Sequence, residues 1–179
     1  IDGYYITALL AEAFLKKKPG SKIIFDPRLI WANIDVIKQY GGIPLINKSG
    51  HAFIKERMRK EDALFAGEMS AHYYFKDNYY ADNGMIPLVL ILELMSVTNK
   101  SLAELLLPLK SKYFISGEIN CLVDSPSEKI RQIEEYYKDG EISCIDGLSV
   151  EYPDWRFNLR ASNTEPFIRL NVEARSKGL

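Results

Sequence analysis

KIIFDPRLIWANIDVIKQYGGIPLINKSGHAFIKERMRKEDALFAGEMSAH, residues 22–72, is the stretch whose reading decides the fold. Short apolar runs at 22–26, 43–47 and 63–66 alternate with amphipathic segments. In the first segment Ile30, Trp31, Ile34 and Ile37 fall on one helical face, and Gly41-Gly42 closes the helix. In the second, 51–61, Phe53, Ile54 and Met58 are expected inward. Strand–helix–strand–helix–strand with short connections specifies a parallel sheet with helices on its faces. Right-handed crossovers make it doubly wound. Upstream, Ile6, Leu9, Leu10, Ala13 and Phe14 recur at helical spacing until Pro19-Gly20 ends the run. Downstream, a polar and aromatic stretch leads to an apolar helix over 86–97, expected to be buried. Ser101 with Glu104 three residues on is a capping box opening another helix.

The remainder reads differently. Tyr113, Ile115, Gly117 and Ile119 fit one face of a strand. Ser125-Pro126 with Glu128 predicts a second capping box, opening a helix with Ile130, Ile133 and Tyr137 inward. Asp146-Gly147 is a hairpin signal between 141–145 and 148–152. Trp155, Phe157 and Leu159 alternate with polar residues, as do Ile168, Leu170, Val172 and Ala174. The expected fold is therefore a doubly wound α/β three-layer domain with a mostly parallel sheet, residues 1–110. A smaller α+β domain with an antiparallel sheet and one helix follows, residues 111–179.

Twenty-three Lys and Arg against 24 Asp and Glu give a net charge of −1. That balance argues against a nucleic-acid or anionic membrane partner. The longest apolar stretch, Met85 to Met95, contains Pro87 and Glu93 and falls short of the roughly 20 residues a membrane helix needs. Ile1-Asp2-Gly3 has neither an initiator Met nor a charged n-region, so the expectation is a cytoplasmic protein and a piece of a longer chain. Cys121 and Cys144 lack metal-ligand spacing and are expected to be reduced packing residues.

Polar residues converge after the three parallel strands: Asp26-Pro27-Arg28, Lys48-Ser49-Gly50-His51 and Gly67-Glu68-Met69-Ser70-Ala71-His72. Ligands of open α/β sheets sit beyond the carboxyl ends of the strands. Arg, Lys, His, Glu and Ser together suit a ligand with hydroxyls and an anionic group: a carboxylate accepts hydroxyl protons and a cation holds a phosphate. In the second domain, Arg160-Ala161-Ser162-Asn163-Thr164-Glu165-Pro166 joins two well-alternating strands. A hairpin does not need Arg, Ser, Asn and Thr together, whereas a phosphate dianion does.

At these residues the chain resembles the α-D-phosphohexomutases. The 67–72 loop is similar to their sugar-binding loop, 160–164 to their C-terminal phosphate-binding loop, and 48–51 to a loop of their third domain. Asp26-Pro27-Arg28-Leu29-Ile30-Trp31 and Asp154-Trp155-Arg156-Phe157-Asn158-Leu159-Arg160 resemble the phosphomannomutase branch. Met69 bears on the subclass, since other branches carry Gln or Glu there. The resemblance covers essentially the whole chain and implies the third and most of the fourth of four domains. The phosphoserine and an Asp-rich Mg²⁺ loop belong to the first two. The implied activity is interconversion of hexose 6-phosphate and hexose 1-phosphate, of mannose and also glucose, through a bisphosphate.

The resemblance implies that Glu68 and Ser70 bind sugar hydroxyls and that His51 and His72 face the sugar and phosphate, with His72 a candidate proton relay. Arg28 stands where relatives often carry Lys. Arg160, Ser162, Asn163 and Thr164 would hold the phosphate that is not being transferred. The implied partners are mannose 6-phosphate and 1-phosphate, the glucose phosphates, and the N-terminal domains of the same chain. The implied cofactor is Mg²⁺, its ligands absent from these residues. The alternative is a stand-alone, non-catalytic phosphosugar-binding module. A third reading is a scaffold that uses the aromatic segment near 73–80 as an interface.

Blander readings stand beside these. Lys48 reads as surface, and Lys55, Arg57, Arg59 and Lys60 as a solvated helix face. Tyr73, Tyr74, Phe75, Tyr79 and Tyr80 read as packing or interface residues rather than a base-stacking platform. The two histidines and nearby acids suggest zinc, but no i, i+4 histidine pair and no Cys ligand supports a metal site.

Overall fold

Ile23, Ile24 and Phe25 are wholly buried, with no alternation of exposure along the strand. A parallel strand covered on both faces reads this way. The computed structural model describes residues 2–162 and 165–178. It divides into two units, Ile1–Asp26 with Ile30–Ser111, and Pro27–Leu29 with Lys112–Leu179.

In the first unit α1 (Gly3–Lys17), β1 (Lys22–Phe25), α2 (Trp31–Gln39), β2 (Ile43–Ile46), α3 (His51–Glu61) and β3 (Phe65–Gly67) follow in order. Then come β4 (Tyr73–Phe75), a 3₁₀ turn (Lys76–Asn78), β5 (Ala81–Asp82), α4 (Met85–Thr98) and α5 (Leu102–Lys112). The sheet order is β2-β1-β3-β4-β5. β1 pairs in parallel with β2 and β3, whereas β4 and β5 add on antiparallel. Alternation divides the side chains between two helical layers. Ile24, Ala66 and Tyr74 pack with Ile54 and Met58 of α3. Phe65 and Phe75 turn the other way, their rings 5.2 and 6.0 Å from Phe14 of α1. The doubly wound, three-layer α/β fold expected from the sequence is the one found. Pro44 sits in the edge strand β2, where a missing N–H is tolerated.

In the second unit β6 (Phe114–Leu122), α6 (Pro126–Tyr136), β7 (Glu141–Ser143), β8 (Leu148–Glu151), β9 (Trp155–Ala161) and β10 (Phe167–Ala174) follow. The strands form one sheet, β6-β10-β9-β8-β7, antiparallel throughout. Leu148, Val150, Phe157, Leu159 and Ile168 form its core, with Ile130, Ile133 and Tyr137 packed against them. This is the expected α+β arrangement. Gly147, at φ +73°, makes the hairpin turn between β7 and β8.

Several local expectations are corrected. The polar and aromatic stretch after β3 contains β4 and β5, whose three and two residues are too short to show a period. The third strand runs 65–67 rather than 63–66. The apolar helix α4 is not buried: Pro87 alone of its residues is, and Val97 is 79% exposed. Phe53 is exposed and lies under the Lys48 ammonium at 4.8 Å instead of facing the core. The Ser101–Glu104 capping box forms, each residue's backbone N–H donating to the other's side chain. The Ser125 side chain makes no cap. Cys121 and Cys144 are free and exposed rather than packed. Cys121 lies on the edge strand β6, and Cys144 directly follows the other edge strand, β7. No single described helix is long and apolar enough to cross a membrane.

Candidate functional site

From β1 the chain goes to β2 on one side and returns to β3 on the other. A crevice therefore opens beyond the carboxyl ends of β1 and β3. Glu68, directly after β3, is only 3% exposed. Its Oε1 accepts from the Gly50 N–H at 2.9 Å, at the start of α3. Its Oε2 accepts from the Tyr74 hydroxyl at 2.6 Å. Burial first, then this hydrogen bond and the Glu68, Asp82 and Asp26 charges, push Tyr74 well above its ordinary pKa, so it stays a neutral donor. Met69 N–H donates to Asp26 Oδ2 at 2.7 Å. Within the loop, Glu68 N–H donates to His72 O and Ala71 N–H to Glu68 O, both at 2.9 Å. Ala71 stands at φ +65°, a conformation that costs a side-chain-bearing residue about 1–3 kcal/mol. The surrounding contacts hold it there.

Part of that support comes from α1. A Cβ on Gly3 would lie 2.5 Å from Met69 O, 2.7 Å from Ala71 N and 2.9 Å from Glu68 O. All three are backbone atoms, so no rotamer change relieves the overlap. Gly3→Ala is expected to destabilise the protein by about 1–3 kcal/mol and to displace the 68–71 loop. Urea unfolding measures the first and amide shifts of residues 68–72 the second. Unchanged stability with unchanged shifts would show that the loop does not lean on Gly3.

His51, the first residue of α3, and His72, at the end of the loop, are separated by 21 positions in sequence but by 4.5 Å between ring centroids. Asp82 of β5 faces both: Oδ1 lies 3.4 Å from His51 Nδ1 and Oδ2 lies 3.6 Å from His72 Nδ1. Lys55 Nζ stands 3.5 Å from Asp82 Oδ1. Burial works to raise the pKa of Asp82, but its backbone hydrogen bond, His51 and Lys55 together hold it below the usual carboxylate range. The carboxylate is therefore charged near neutral pH. With Nδ1 turned to Asp82, each imidazole presents Nε2 on its opposite side. Ser70 is exposed at the loop tip, and Lys48 is exposed as well.

The second unit contains the other candidates. Arg28 is buried and groups with this unit, not with the loops around Glu68. Arg160 at the end of β9 is 16% exposed, its Nη1 3.4 Å from Asp146 Oδ2 and its Nη2 3.6 Å from Glu118 Oε2. Ser162 N–H donates to Phe167 O at 2.8 Å, closing the base of the 162–166 loop. Asn163 and Thr164 lie outside the described residues.

Sequence reasoning passed over Asp82, and gave Asp26, Tyr74 and Arg156 no site role of their own. Arg156 is buried on the polar face of the sheet, donating from Nη1 to Arg28 O and from Nη2 to Pro27 O, both at 3.0 Å. Its even alternation with Asn158 and Arg160 marked a sheet face opposite the apolar one, the one available signal that this face is also covered.

Residues 2–113 match the phosphoglucomutase/phosphomannomutase alpha/beta/alpha domain III, and residues 118–179 match the C-terminal domain of the same family. A phosphomannomutase from Escherichia coli is 54% identical over 178 residues, covering 98% of this chain and 39% of that protein. A protein of Xanthomonas campestris described as phosphohexose mutases is 51% identical over 98% of this chain and 40% of its own length. A solved phosphoglucomutase/phosphomannomutase family protein from Burkholderia thailandensis superposes with a TM-score of 0.83 at 34% identity, over 99% of this chain and 38% of that one. The chain thus spans about 39% of the length of the E. coli relative. With both domain profiles matched in order along its length, the chain belongs to the phosphoglucomutase/phosphomannomutase family and carries its domains III and IV.

Proposed function

We propose that this chain is the substrate-binding half of a phosphohexomutase that interconverts hexose 6-phosphate and hexose 1-phosphate through a bisphosphate. The sugars are mannose and glucose. In this reading residues 1–110 hold the sugar and 111–179 the phosphate that is not being transferred. The observation that carries it is the braced Glu68–His72 loop beside His51, at the carboxyl ends of the parallel strands of a family-matched domain. The names of the E. coli and Xanthomonas relatives support the substrate class.

The residues of this chain position the substrate. The Ser70 hydroxyl, exposed at the loop tip, donates to or accepts from sugar hydroxyls, and the remaining lone pairs of Glu68 accept from them. His72, oriented through Nδ1 by Asp82, carries a proton at Nε2 to or from the reacting hydroxyl. Arg28 and Arg160 supply the cationic donors for phosphate. Mg²⁺ takes oxygen ligands in near-octahedral geometry. Two imidazoles and one carboxylate, the one metal-capable group found among the described residues, do not fit it. Mg²⁺ and the phosphoserine belong in this proposal to the part of the parent protein outside this chain. Phosphoryl transfer is catalysed by positioning and charge stabilisation, and this chain contributes the positioning.

The test is turnover. The full-length protein should convert mannose 1-phosphate and glucose 1-phosphate in the presence of Mg²⁺ and a bisphosphate activator. The 179-residue chain under the same conditions should stay at the buffer blank, yet bind hexose phosphate. Glu68→Ala should weaken every hexose phosphate while leaving inorganic phosphate binding intact. A full-length protein that binds but never turns over would replace this reading with that of a phosphosugar-binding module.

A further inference from the structure

The cluster of His51, His72 and Asp82 has a donor set of its own. One ligand atom from each residue lies within 4.8 Å of the others. All three side chains are open to solvent, at 47%, 46% and 31% exposure, so an ion has access without unfolding. A tetrahedral ion with ligands at about 2.0–2.1 Å sets them roughly 3.3–3.4 Å apart. Asp82 Oδ1 stands 3.4 Å from His51 Nδ1 and Oδ2 stands 3.6 Å from His72 Nδ1, so a small shift of the three side chains brings one atom of each to that spacing. A carboxylate and two imidazoles are ligand types that zinc favours. Two nitrogens and one oxygen disfavour Mg²⁺ and Ca²⁺, which select oxygen cages. Three protein ligands also leave a coordination position open, as zinc sites that bind water or a small ligand do.

We propose that His51, His72 and Asp82 form a three-ligand site for a divalent transition metal of the zinc type, separate from any Mg²⁺ that the parent enzyme uses. The three ligands come from α3, the loop after β3, and β5. Neither histidine spacing nor a motif announces them, because β5 delivers Asp82 by pairing antiparallel with β4, opposite Tyr74. Lys55 is the resident competitor: its ammonium, 3.5 Å from Asp82 Oδ1, takes the place a dication would favour. Its flexible stem lets it withdraw when the ion enters.

The experiment titrates Zn²⁺ alone into the 179-residue chain by calorimetry, so the readout does not depend on whether the site takes hexose phosphates. Cys121 and Cys144 are exposed thiols, and the titration is made in a Cys121→Ser, Cys144→Ser background free of any affinity tag. One ion should bind per chain, and Co²⁺ should develop the intense visible absorption of a four-coordinate N/O site. Even an outer-shell partner is worth about 10–100-fold in metal affinity. His51→Ala, His72→Ala and Asp82→Asn should therefore each weaken binding at least tenfold, with circular dichroism unchanged. Lys55→Met should tighten it severalfold, a gain that a damaged fold does not produce. A Zn²⁺ isotherm unmoved by His72→Ala and Asp82→Asn overturns the assignment, as does a Co²⁺ spectrum that stays that of the aqueous ion.

Discussion

Arg156→Ala is expected to lower the unfolding free energy by about 3–5 kcal/mol, the range for removing one partner of a buried ion pair. The guanidinium is buried within the second unit. Two of its nitrogens donate to the carbonyls of Arg28 and Pro27. Nη1 lies 3.5 Å from Glu173 Oε2, on a carboxylate with no solvent exposure, and Nε lies 3.6 Å from Glu151 Oε2. Alanine removes the packing volume and takes the Arg156 donors away from the buried Glu173 carboxylate and from the two carbonyls. A domain of ordinary stability has only about 5–15 kcal/mol in total, so the loss is a large part of it. Arg156→Lys should recover little, because a point ammonium does not reproduce two parallel donors. Arg156→Met combined with Glu173→Met should recover much of the loss, since replacing both partners of a buried ion pair by apolar side chains removes both desolvated charges together. Guanidinium unfolding of the four proteins decides it. A loss under about 1 kcal/mol for Arg156→Ala would mean that water replaces the clamp.

On the proposed function, Arg160→Ala in the full-length protein should reduce kcat/KM by about tenfold to a hundredfold, since a charge-assisted hydrogen bond contributes about 1.5–3 kcal/mol. Asp146 and Glu118 flank Arg160 at 3.4 and 3.6 Å. They fix the fork of donors at the base of the 162–166 loop, limiting the rotamer freedom lost on ligand binding. The phosphate it would hold stays charged through the reaction, so the contact acts mainly as uniform binding and its loss appears chiefly in KM. Some loss of kcat accompanies it if remote phosphate binding drives closure over the sugar. Inorganic phosphate or sulfate, and then substrate, are titrated against the variant. Binding equal to that of the parent in both titrations would make 160–166 an ordinary hairpin.

What the sequence determined by itself is the part of the fold that local chemistry encodes. The β1–α2–β2–α3–β3 order was legible because helix and strand periods differ and because Gly41, with φ +72°, stops α2. The antiparallel sheet was legible because β9 and β10 alternate over seven and eight residues, enough to show a period of two. The positions of the 48–51, 67–72 and 160–166 loops followed from that order, since they are where strands end. Only the tertiary structure decided which side chains meet. Glu68 is spent on Gly50 and Tyr74, a cost to be weighed in any contact with a sugar. Arg28 joins the second unit through backbone carbonyls that Arg156 grips from 128 residues away. Asp82 reaches both histidines from a strand too short to be seen. α4, apolar all round, remains exposed on much of its surface. Periodicity reports what a segment can bury. Which neighbour it meets, and which polar atoms become partners, depends on chain-distant pairings such as β4 with β5, whose free energy comes from contacts no local window contains.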